Sequence, residues 1–298
     1  MNETLESGLL FPENDKARSE HCQSSVESAS ARGEEEKKKR QRPIPCPHHL
    51  IRLMAPFKTF DAQVLQSVAL SEFTKHIELE VSGVPRFGFV PGQWLSVKAN
   101  TPEGGEITRA YSIASPPSGN GHVAFCLNRV QDGFMSNYLC NLDEGTKITF
   151  QGPFGDFIMR PPLRDTVFIA TGTGIAPFRS MLHWLLAPDD LAKSDRHQGR
   201  EFWLLFGSRR EQDIYYREEF QQLAAKHDNF HFLPTLSRAG DRWKGLRGYV
   251  QQHLGEIVGM RTDMHAYICG LDRMVTANRE LLKNLGWDRT SIRYEKYN

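Results

Sequence analysis

Residues 166–186 have the sequence TVFIATGTGIAPFRSMLHWLL, which predicts a buried strand, a tight turn and a helix. The strand is the continuous apolar run 166–170, and apolar residues recur at helical spacing from 177 to 186. Two glycines in the turn 171–177 let the backbone approach a phosphate closely, and Pro177 suits a first helical turn. Pro177 stands where the dinucleotide-binding fingerprint has its third glycine, so an ordinary strand-to-helix turn remains an alternative.

Strands and helices continue to alternate after this stretch. Strands are predicted at 202–206, 230–236 and 266–269, and helices near 218–227, 248–254 and 273–285. This alternation predicts a parallel sheet covered by helices on both faces. We therefore expect a Rossmann-like α/β domain over 163–298.

Before residue 163 the pattern changes to short alternating strands separated by Gly, Pro and Asn. The predicted strands are 61–70, 73–81, 93–97, 110–114, 122–130 and 146–151. Their number and spacing predict an antiparallel, six-stranded barrel over 55–162. The sequence thus predicts a β domain followed by an α/β domain, with the boundary near Pro161 and Pro162.

Composition sets outer limits on the function. The 298 residues are 39% hydrophobic and 24% charged, with a net charge of +1, which gives no electrostatic reason to expect nucleic acid as a partner. Residues 1–54 are rich in charge and poor in aromatics, which is typical of a disordered tail. Cys46, His48 and His49 in this tail lack a second pair of metal ligands, and no metal site is predicted.

Cysteine usage indicates the cellular setting. The five cysteines show neither C-x-x-C pairs nor the spacing of a plant-type iron–sulfur cluster. An odd number of cysteines without framework spacing indicates reduced thiols and a cytoplasmic protein. No apolar run approaches the length of about 20 residues that a transmembrane helix requires.

Two motifs in the predicted barrel combine groups that suit a phosphate and a flat ring. Arg109 offers a charged fork, Tyr111 a ring face and Ser112 a hydroxyl within one strand. Gly133 and Ser136 begin a short predicted helix whose free amides suit an anion. Each motif also has an ordinary explanation, as an alternating strand and as a helix cap.

Two further segments lie at the carboxyl edge of the predicted parallel sheet or in its last strand. Cys269 ends a strand at the edge where ligands of α/β sheets collect, although a lone cysteine there is often a core residue. Glu295 and Tyr297 lie in the terminal strand, where charges also occur simply because the strand is an edge.

The order of these motifs resembles the plant-type ferredoxin–NADP(+) reductase family over residues 56–298. The motifs are RAYS at 109–112, GFMS at 133–136, GPFG at 152–155, TGTGIAP at 171–177, CGL at 269–271 and a terminal E-x-Y at 295–297. The resemblance implies an N-terminal FAD-binding barrel, a C-terminal NAD(P)-binding domain and an active site in the cleft between them. It also implies that FAD is bound without a covalent link.

The resemblance further implies a role for each matching residue. Arg109 would bind the FAD pyrophosphate, Tyr111 would pack against the flavin, and Ser112 would lie beside its reactive nitrogen. The second phosphate contact of the FAD would come from Gly133 and Ser136, and the contacts to the nicotinamide dinucleotide from Gly172, Thr173, Gly174 and Pro177. The nicotinamide would be bordered by Cys269 and Glu295, with Tyr297 as the family's C-terminal aromatic. In this chain Asn298 follows that aromatic, which departs from the usual family pattern.

A second group of residues resembles the family's site for the 2′-phosphate of NADP. Ser237, Arg238 and Arg247 would supply charge and hydroxyl groups, Tyr249 a face for adenine, and Gln251 a hydrogen bond. Ordinary surface arginines are the alternative, and relatives that use NADH also have Arg and Tyr in this region.

We therefore predict a monomeric oxidoreductase that exchanges electrons between NADP(H) and ferredoxin or flavodoxin by hydride transfer at FAD. An NADH-dependent reductase component that supplies an oxygenase is the alternative enzyme. A flavin-binding regulatory subunit is a non-enzymatic alternative, and it predicts loss of reactive groups at Ser112, Cys269 or Glu295. All three residues are present.

Overall fold

The first sheet forms because its strands alternate between buried apolar and exposed polar side chains. In the computed structural model, which describes residues 58–187 and 199–297, Ala62 and Val64 are buried while Asp61 and Gln63 are exposed. The strands are β1 (Thr59–Ala69), β2 (Thr74–Val81), β3 (Trp94–Asn100), β4 (Glu106–Ser112), β5 (His122–Asn128) and β6 (Lys147–Phe154). They are antiparallel in the order β4-β3-β6-β1-β2-β5.

The two edge strands of this sheet meet just after β4, which closes the sheet on itself. Ile113 forms a bridge with Phe125, and the Ala114 N–H donates a 2.7 Å hydrogen bond to the Ala124 carbonyl. A short helix, α1 (Phe134–Cys140), connects β5 to β6. The core consists of buried side chains that include Ile77, Leu79, Leu95, Val97, Phe125 and Phe150. The predicted antiparallel, six-stranded β architecture is confirmed.

The second sheet is parallel and covered by helices on both faces. Its strands are β7 (Thr166–Thr171), β8 (Phe202–Ser208), β9 (Phe230–Leu236), β10 (Leu246–Arg247), β11 (His265–Leu271) and β12 (Ile292–Tyr297), in the order β10-β9-β8-β7-β11-β12. The helices are α2 (Ala176–Leu185), α3 (Arg217–Lys226), α4 (Gln251–Val258) and α5 (Asp272–Asn284). Successive residues of β7 enter different cores, with Phe168 in one and Val167 and Ile169 in the other. This confirms the predicted α/β architecture.

Three details differ from the sequence predictions. Strand β4 spans Glu106–Ser112 rather than the predicted 110–114. The prediction missed its first half because those residues are mostly exposed and lack the apolar alternation of a strand. Strand β10 was not predicted, since two residues are too short for a periodic signal. Helix α4 begins at Gln251 rather than near Gly248, because Gly248 has a φ of +98° and cannot be helical.

Polar side chains connect the two sheets. The Thr74 hydroxyl donates a 2.7 Å hydrogen bond to the Tyr215 hydroxyl, and His76 Nδ1 lies 2.9 Å from the Tyr216 hydroxyl. The Tyr267 hydroxyl accepts a 3.0 Å hydrogen bond from the Arg160 N–H. These groups are largely buried, so each needs its partner across the interface.

The predicted boundary at Pro161 and Pro162 falls in the connection between β6 and β7, and the division there into domains stays a prediction. The predicted tail 1–54 lies outside the described residues, as do Cys46, His48 and His49. Among the described helices, none has the length and apolar character that crossing a membrane requires.

Candidate active site between the two sheets

The turn after β7 packs its backbone directly against the end of β11. Residues Gly172–Ile175 form a 3-10 turn that leads into α2, with Pro177 in the first turn of that helix. A Cβ atom added at Gly174 would lie 2.3 Å from the Cys269 carbonyl oxygen. Only glycine allows this approach, so the predicted dinucleotide turn and Cys269 are held together by backbone contact.

Gly270 of β11 makes a second close contact with the end of β7. Gly270 has a φ of +134°, and a Cβ there would lie 2.5 Å from the Thr171 hydroxyl oxygen. That hydroxyl accepts a 3.3 Å hydrogen bond from the Leu271 N–H. The carboxyl ends of β7 and β11 therefore form one surface. On this surface the backbone of Gly172 is accessible to a ligand, because nothing lies within 4 Å of its Cβ position.

Strand β12 places the two terminal site residues next to this surface. Cys269 pairs with Glu295, and Leu271 pairs with Tyr297, in the parallel register of β11 and β12. Cys269 is fully buried, and burial raises the pKa of its thiol well above the ordinary value, with the Glu295 charge adding to the shift. The thiol therefore stays protonated and can only form weak hydrogen bonds, one of them with Tyr297.

Tyr297 connects this group to the first sheet. Its hydroxyl donates a 2.5 Å hydrogen bond to the Ser112 hydroxyl, which lies at the end of β4. Burial raises the pKa of Tyr297 well above its usual range, so the phenol remains a neutral hydrogen-bond donor. The structure thus brings Ser112, Cys269, Glu295 and Tyr297 into one cluster, although they lie up to 185 residues apart in the sequence.

Glu295 is the titratable group of this cluster. Burial raises the pKa of its carboxyl group from 4.5 to about 7, and the charge of Asp156 contributes to the shift. Asp156 was missed by the sequence analysis. The sequence feature that could have indicated Asp156 is its position directly after the GPFG motif, in the connection between β6 and β7.

The side of the cluster that belongs to the first sheet contains the predicted flavin residues. Arg109 is exposed, and its Nη1 donates a 2.8 Å hydrogen bond to the Thr108 carbonyl. Tyr111 is half-buried, with its ring centroid 5.6 Å from that of Phe125. Burial, with a smaller contribution from Cys140, raises the pKa of Tyr111 to about 12. Tyr111 therefore presents a fixed, uncharged ring beside an available guanidinium group.

Ser136 is engaged within its own loop. Its hydroxyl donates to the Gly133 carbonyl and accepts from the Val130 N–H, both at 3.0 Å. A Cβ at Gly133 would lie 2.8 Å from this hydroxyl. The hydroxyl group therefore shapes the start of α1, and a phosphate near this loop would be contacted by backbone amides.

The predicted 2′-phosphate residues surround the ends of β9 and β10. Ser237 and Arg238 are exposed, and their N–H groups donate to the carbonyls of Ser208 and Arg209 at 3.0 and 2.9 Å. Arg247 instead donates to the carbonyls of the neighbouring loop, Ala239 at 3.3 Å, Gly240 at 2.9 Å and Trp243 at 3.0 Å. Its guanidinium group stabilises the loop that follows Arg238.

The remaining residues of this group lie beside the loop. Tyr249 is 54% exposed, so its ring face is free for stacking, and Gln251 begins α4. Exposed cations surround the area, namely Arg209, Arg210, Arg238, Arg242, Lys244 and Arg247. In the part of the chain that the structure describes, no group of three or more His, Cys, Asp or Glu residues is placed to hold a metal ion.

The geometry and the comparisons with known proteins define the class of protein. Residues 61–158 match the oxidoreductase FAD-binding domain, and residues 168–280 match the oxidoreductase NAD-binding domain. The protein is therefore an FAD-dependent oxidoreductase with an NAD(P)-binding domain. Both glycine contacts between β7 and β11, and the flat ring of Tyr111 beside the exposed guanidinium group of Arg109, fit these two nucleotides.

Individual relatives identify the family. The chain is 39% identical over 252 residues to ferredoxin–NADP reductase B of Sorangium cellulosum, which covers 82% of this chain and all of that protein. It is 31% identical over 240 residues to the 2-halobenzoate 1,2-dioxygenase electron transfer component of Burkholderia cepacia, covering 80% of this chain and 68% of that protein. The structure of the cytochrome P450 reductase GcoB from Amycolatopsis aligns with a TM-score of 0.71 at 26% identity, covering 81% and 70% of the two chains. The chain belongs to the ferredoxin–NADP reductase-like family.

The raised pKa of Glu295 predicts a pH-dependent stability. Its pKa in the folded protein lies above the ordinary value, so the folded state binds this proton more tightly than the unfolded chain and loses stability as pH rises. In Glu295→Gln, which cannot ionise, the melting temperature relative to wild type should increase between about pH 5 and about pH 8.

The control is Asp156→Asn, which removes the neighbouring charge and should produce a smaller change in the same direction. A constant difference between Glu295→Gln and wild type at every pH would contradict the raised pKa.

Proposed function

We propose that the protein exchanges electrons between NADP(H) and a separate one-electron carrier protein, of the ferredoxin or flavodoxin class, through non-covalently bound FAD. The observation that supports this most directly is the hydrogen bond from Tyr297 to Ser112, beside buried Cys269 and half-buried Glu295. Bound FAD would accept a hydride from the nicotinamide and release electrons singly. The work of the protein is then to bind and align the two nucleotides.

Each side of the site has a distinct binding task in this proposal. Arg109 would neutralise the FAD pyrophosphate, and Tyr111 would pack against the flavin as an uncharged ring. The amides of the loop at Gly133 would contact a second phosphate. The turn Gly172–Ile175 would hold the pyrophosphate of the nicotinamide dinucleotide, since its backbone is open at Gly172.

Neutral groups surround the proposed reaction centre. Cys269 and Tyr297 keep their protons because they are buried, so they exclude water without adding charge next to the nicotinamide ring. Ser112 has a hydroxyl group that can donate to a ring nitrogen when the Tyr297 ring moves away. Glu295 changes its charge near neutral pH and can hold or release a proton there.

Steady-state assays with both nicotinamide dinucleotides and with carrier proteins test the proposal. The purified holoenzyme should show flavin absorption bands and should reduce ferredoxin or flavodoxin with NADPH faster than with NADH. Equal turnover with NADH would favour the second candidate, a reductase component that supplies an oxygenase. The similarity to the 2-halobenzoate 1,2-dioxygenase electron transfer component supports that alternative.

A preference for NADPH would depend on Arg238. Because Arg238 is exposed at the end of β9 among other cations, its guanidinium group is available to the 2′-phosphate. Arg238→Ala should raise the Michaelis constant for NADPH by about tenfold or more and leave that for NADH nearly unchanged.

Arg242→Ala removes another exposed cation of the same loop and serves as the control. An equal effect of Arg238→Ala on both nucleotides would show that Arg238 contacts only their common part. Arg247→Ala should in addition lower the melting temperature, because three carbonyl contacts of the loop are lost.

The Tyr297 ring would cover the flavin where the nicotinamide must stack. Aromatic stacking contributes about 0.5–1.5 kcal/mol beyond burial, which the incoming nicotinamide can replace. Tyr297→Ser should therefore bind NADP(+) more tightly, turn over more slowly and discriminate less between NADPH and NADH. Titration with NADP(+), followed by the flavin spectrum, measures this directly.

Tyr297→Phe keeps the ring and removes only the hydroxyl that donates to Ser112. It should retain most of the discrimination if the ring is the barrier. If Tyr297→Ser binds NADP(+) like the wild type, Tyr297 is a packing residue and not a barrier.

A further inference from the structure

Arg179 of α2 contacts the segment that follows β4 of the first sheet and the start of α3 beside the second sheet. It belongs to the first turns of α2, and its Nη1 donates a 3.0 Å hydrogen bond to the Ala114 carbonyl, just beyond β4. Its Nε lies 2.8 and 3.1 Å from the two carboxylate oxygens of Glu219 on α3. Its guanidinium carbon lies 4.9 Å from the ring centroid of Tyr216. Three different contacts thus hold one side chain in a single position.

These contacts join two segments that lie directly next to the candidate active site. Ala114 follows Ser112 by two residues, and its backbone is fixed by the 2.7 Å hydrogen bond from its N–H to Ala124. Arg179 follows the turn Gly172–Ile175 within the same helix that the turn begins. The hydrogen bond therefore links the proposed flavin segment to the proposed nicotinamide segment over a few residues on each side.

The partners of Arg179 are themselves fixed. Burial alone would raise the pKa of Glu219, but a hydrogen bond from His183 and the charge of Arg179 lower it below the ordinary value, so the carboxylate stays ionised. Tyr216 has a φ of +55°, which is rare for a residue other than glycine, and its hydroxyl contacts His76 of β2. A backbone in this region persists only when its surroundings determine it strongly.

Energetics favour a role in alignment over a role in stability. The Arg179–Glu219 ion pair is partly buried, and such a pair often contributes little net stability, because the cost of removing charge from water offsets the attraction. An apolar pair of similar volume could fill the same space. What an apolar pair could not supply is a directional hydrogen bond to the Ala114 carbonyl in the other sheet.

We propose that Arg179 is a positioning residue, which fixes the segment containing Ser112 against the turn Gly172–Ile175 so that flavin and nicotinamide meet in register. This inference rests on the proposed function. Tyr297 also links the sheets, but in the proposed function its ring would occupy the place where the nicotinamide stacks. The Arg179 contacts, with Ala114, Glu219 and Tyr216, do not involve Tyr297.

Arg179→Gln tests the inference in the full-length holoenzyme. The measurements are FAD content, melting temperature, the flavin difference spectrum on NADP(+) titration, and the rate of flavin reduction by NADPH in anaerobic stopped-flow experiments. We expect full FAD content and a Michaelis constant for NADPH within about threefold of wild type, but flavin reduction slower by about 10- to 100-fold, since small misplacements cost about that much. The difference spectrum should change its shape, because the nicotinamide stacks differently.

Arg217→Gln is the matched control. Arg217 also forms an ion pair, at 2.7 Å to Glu211, and lies 5.6 Å from the ring centroid of Trp243, but these contacts remain within the second sheet and its loops. Its flavin reduction should stay within about twofold of wild type. Arg179→Lys can still donate to Ala114 and should recover part of the rate.

The outcomes separate the inference from the proposed function. If the wild-type protein reduces its flavin with NADPH and Arg179→Gln does so equally fast with an unchanged difference spectrum, the inference is wrong. If Arg179→Gln loses FAD or unfolds, Arg179→Lys decides: full FAD content with a slow, partly recovered rate supports positioning, and a wild-type rate shows a merely structural residue. If the wild-type protein is not reduced by either nicotinamide, the proposed function fails first.

Discussion

The close approach of Gly174 to the Cys269 carbonyl is the contact on which the candidate site depends. Since a Cβ at Gly174 would lie 2.3 Å from that oxygen, the turn after β7 can reach the end of β11 only as bare backbone. This contact sets the direction in which α2 leaves the sheet. It also sets the position of Cys269, and through the parallel register it sets the position of Glu295. A larger residue at either glycine would move the turn and the helix together.

Charge is distributed in a way that suits two dinucleotides and a neutral reacting ring. Exposed cations occur on both sides, Arg109 on β4 of the first sheet and Arg238 after β9 of the second, and the proposed function assigns phosphates to them. The centre contains groups that burial keeps protonated, Cys269 and Tyr297. Only Glu295 can change its charge there near neutral pH. Because Cys269 and Tyr297 are uncharged, they can align a ring without attracting the cations that would bind the phosphates.

Hydrogen bonds cross the interface between the sheets beside apolar contacts, since Ala114 and Cys126 share a hydrophobic cluster with residues of the second sheet. Tyr215 and Tyr216 follow each other in the chain and contact Thr74 and His76, which lie two residues apart on β2. Burial lowers the pKa of His76, so its ring remains neutral and can form a hydrogen bond with the Tyr216 hydroxyl. Hydrogen bonds between specific groups across the interface select a single arrangement of the sheets, whereas apolar contacts alone would tolerate sliding.

The sequence by itself determined the two architectures, because alternation of period two and continuous apolar strands followed by helices are local patterns. It also determined the order of the motifs, and hence the family resemblance that the relatives confirm. Only the tertiary structure showed that Arg247 stabilises a loop through carbonyls, that Ser136 is engaged within its own turn, and that the Asp156 charge helps to raise the pKa of Glu295. The same holds for Arg179, whose partner Ala114 lies 65 residues away. Hydrogen bonds between distant segments depend on how the sheets pack, and no local pattern in one sequence records that packing.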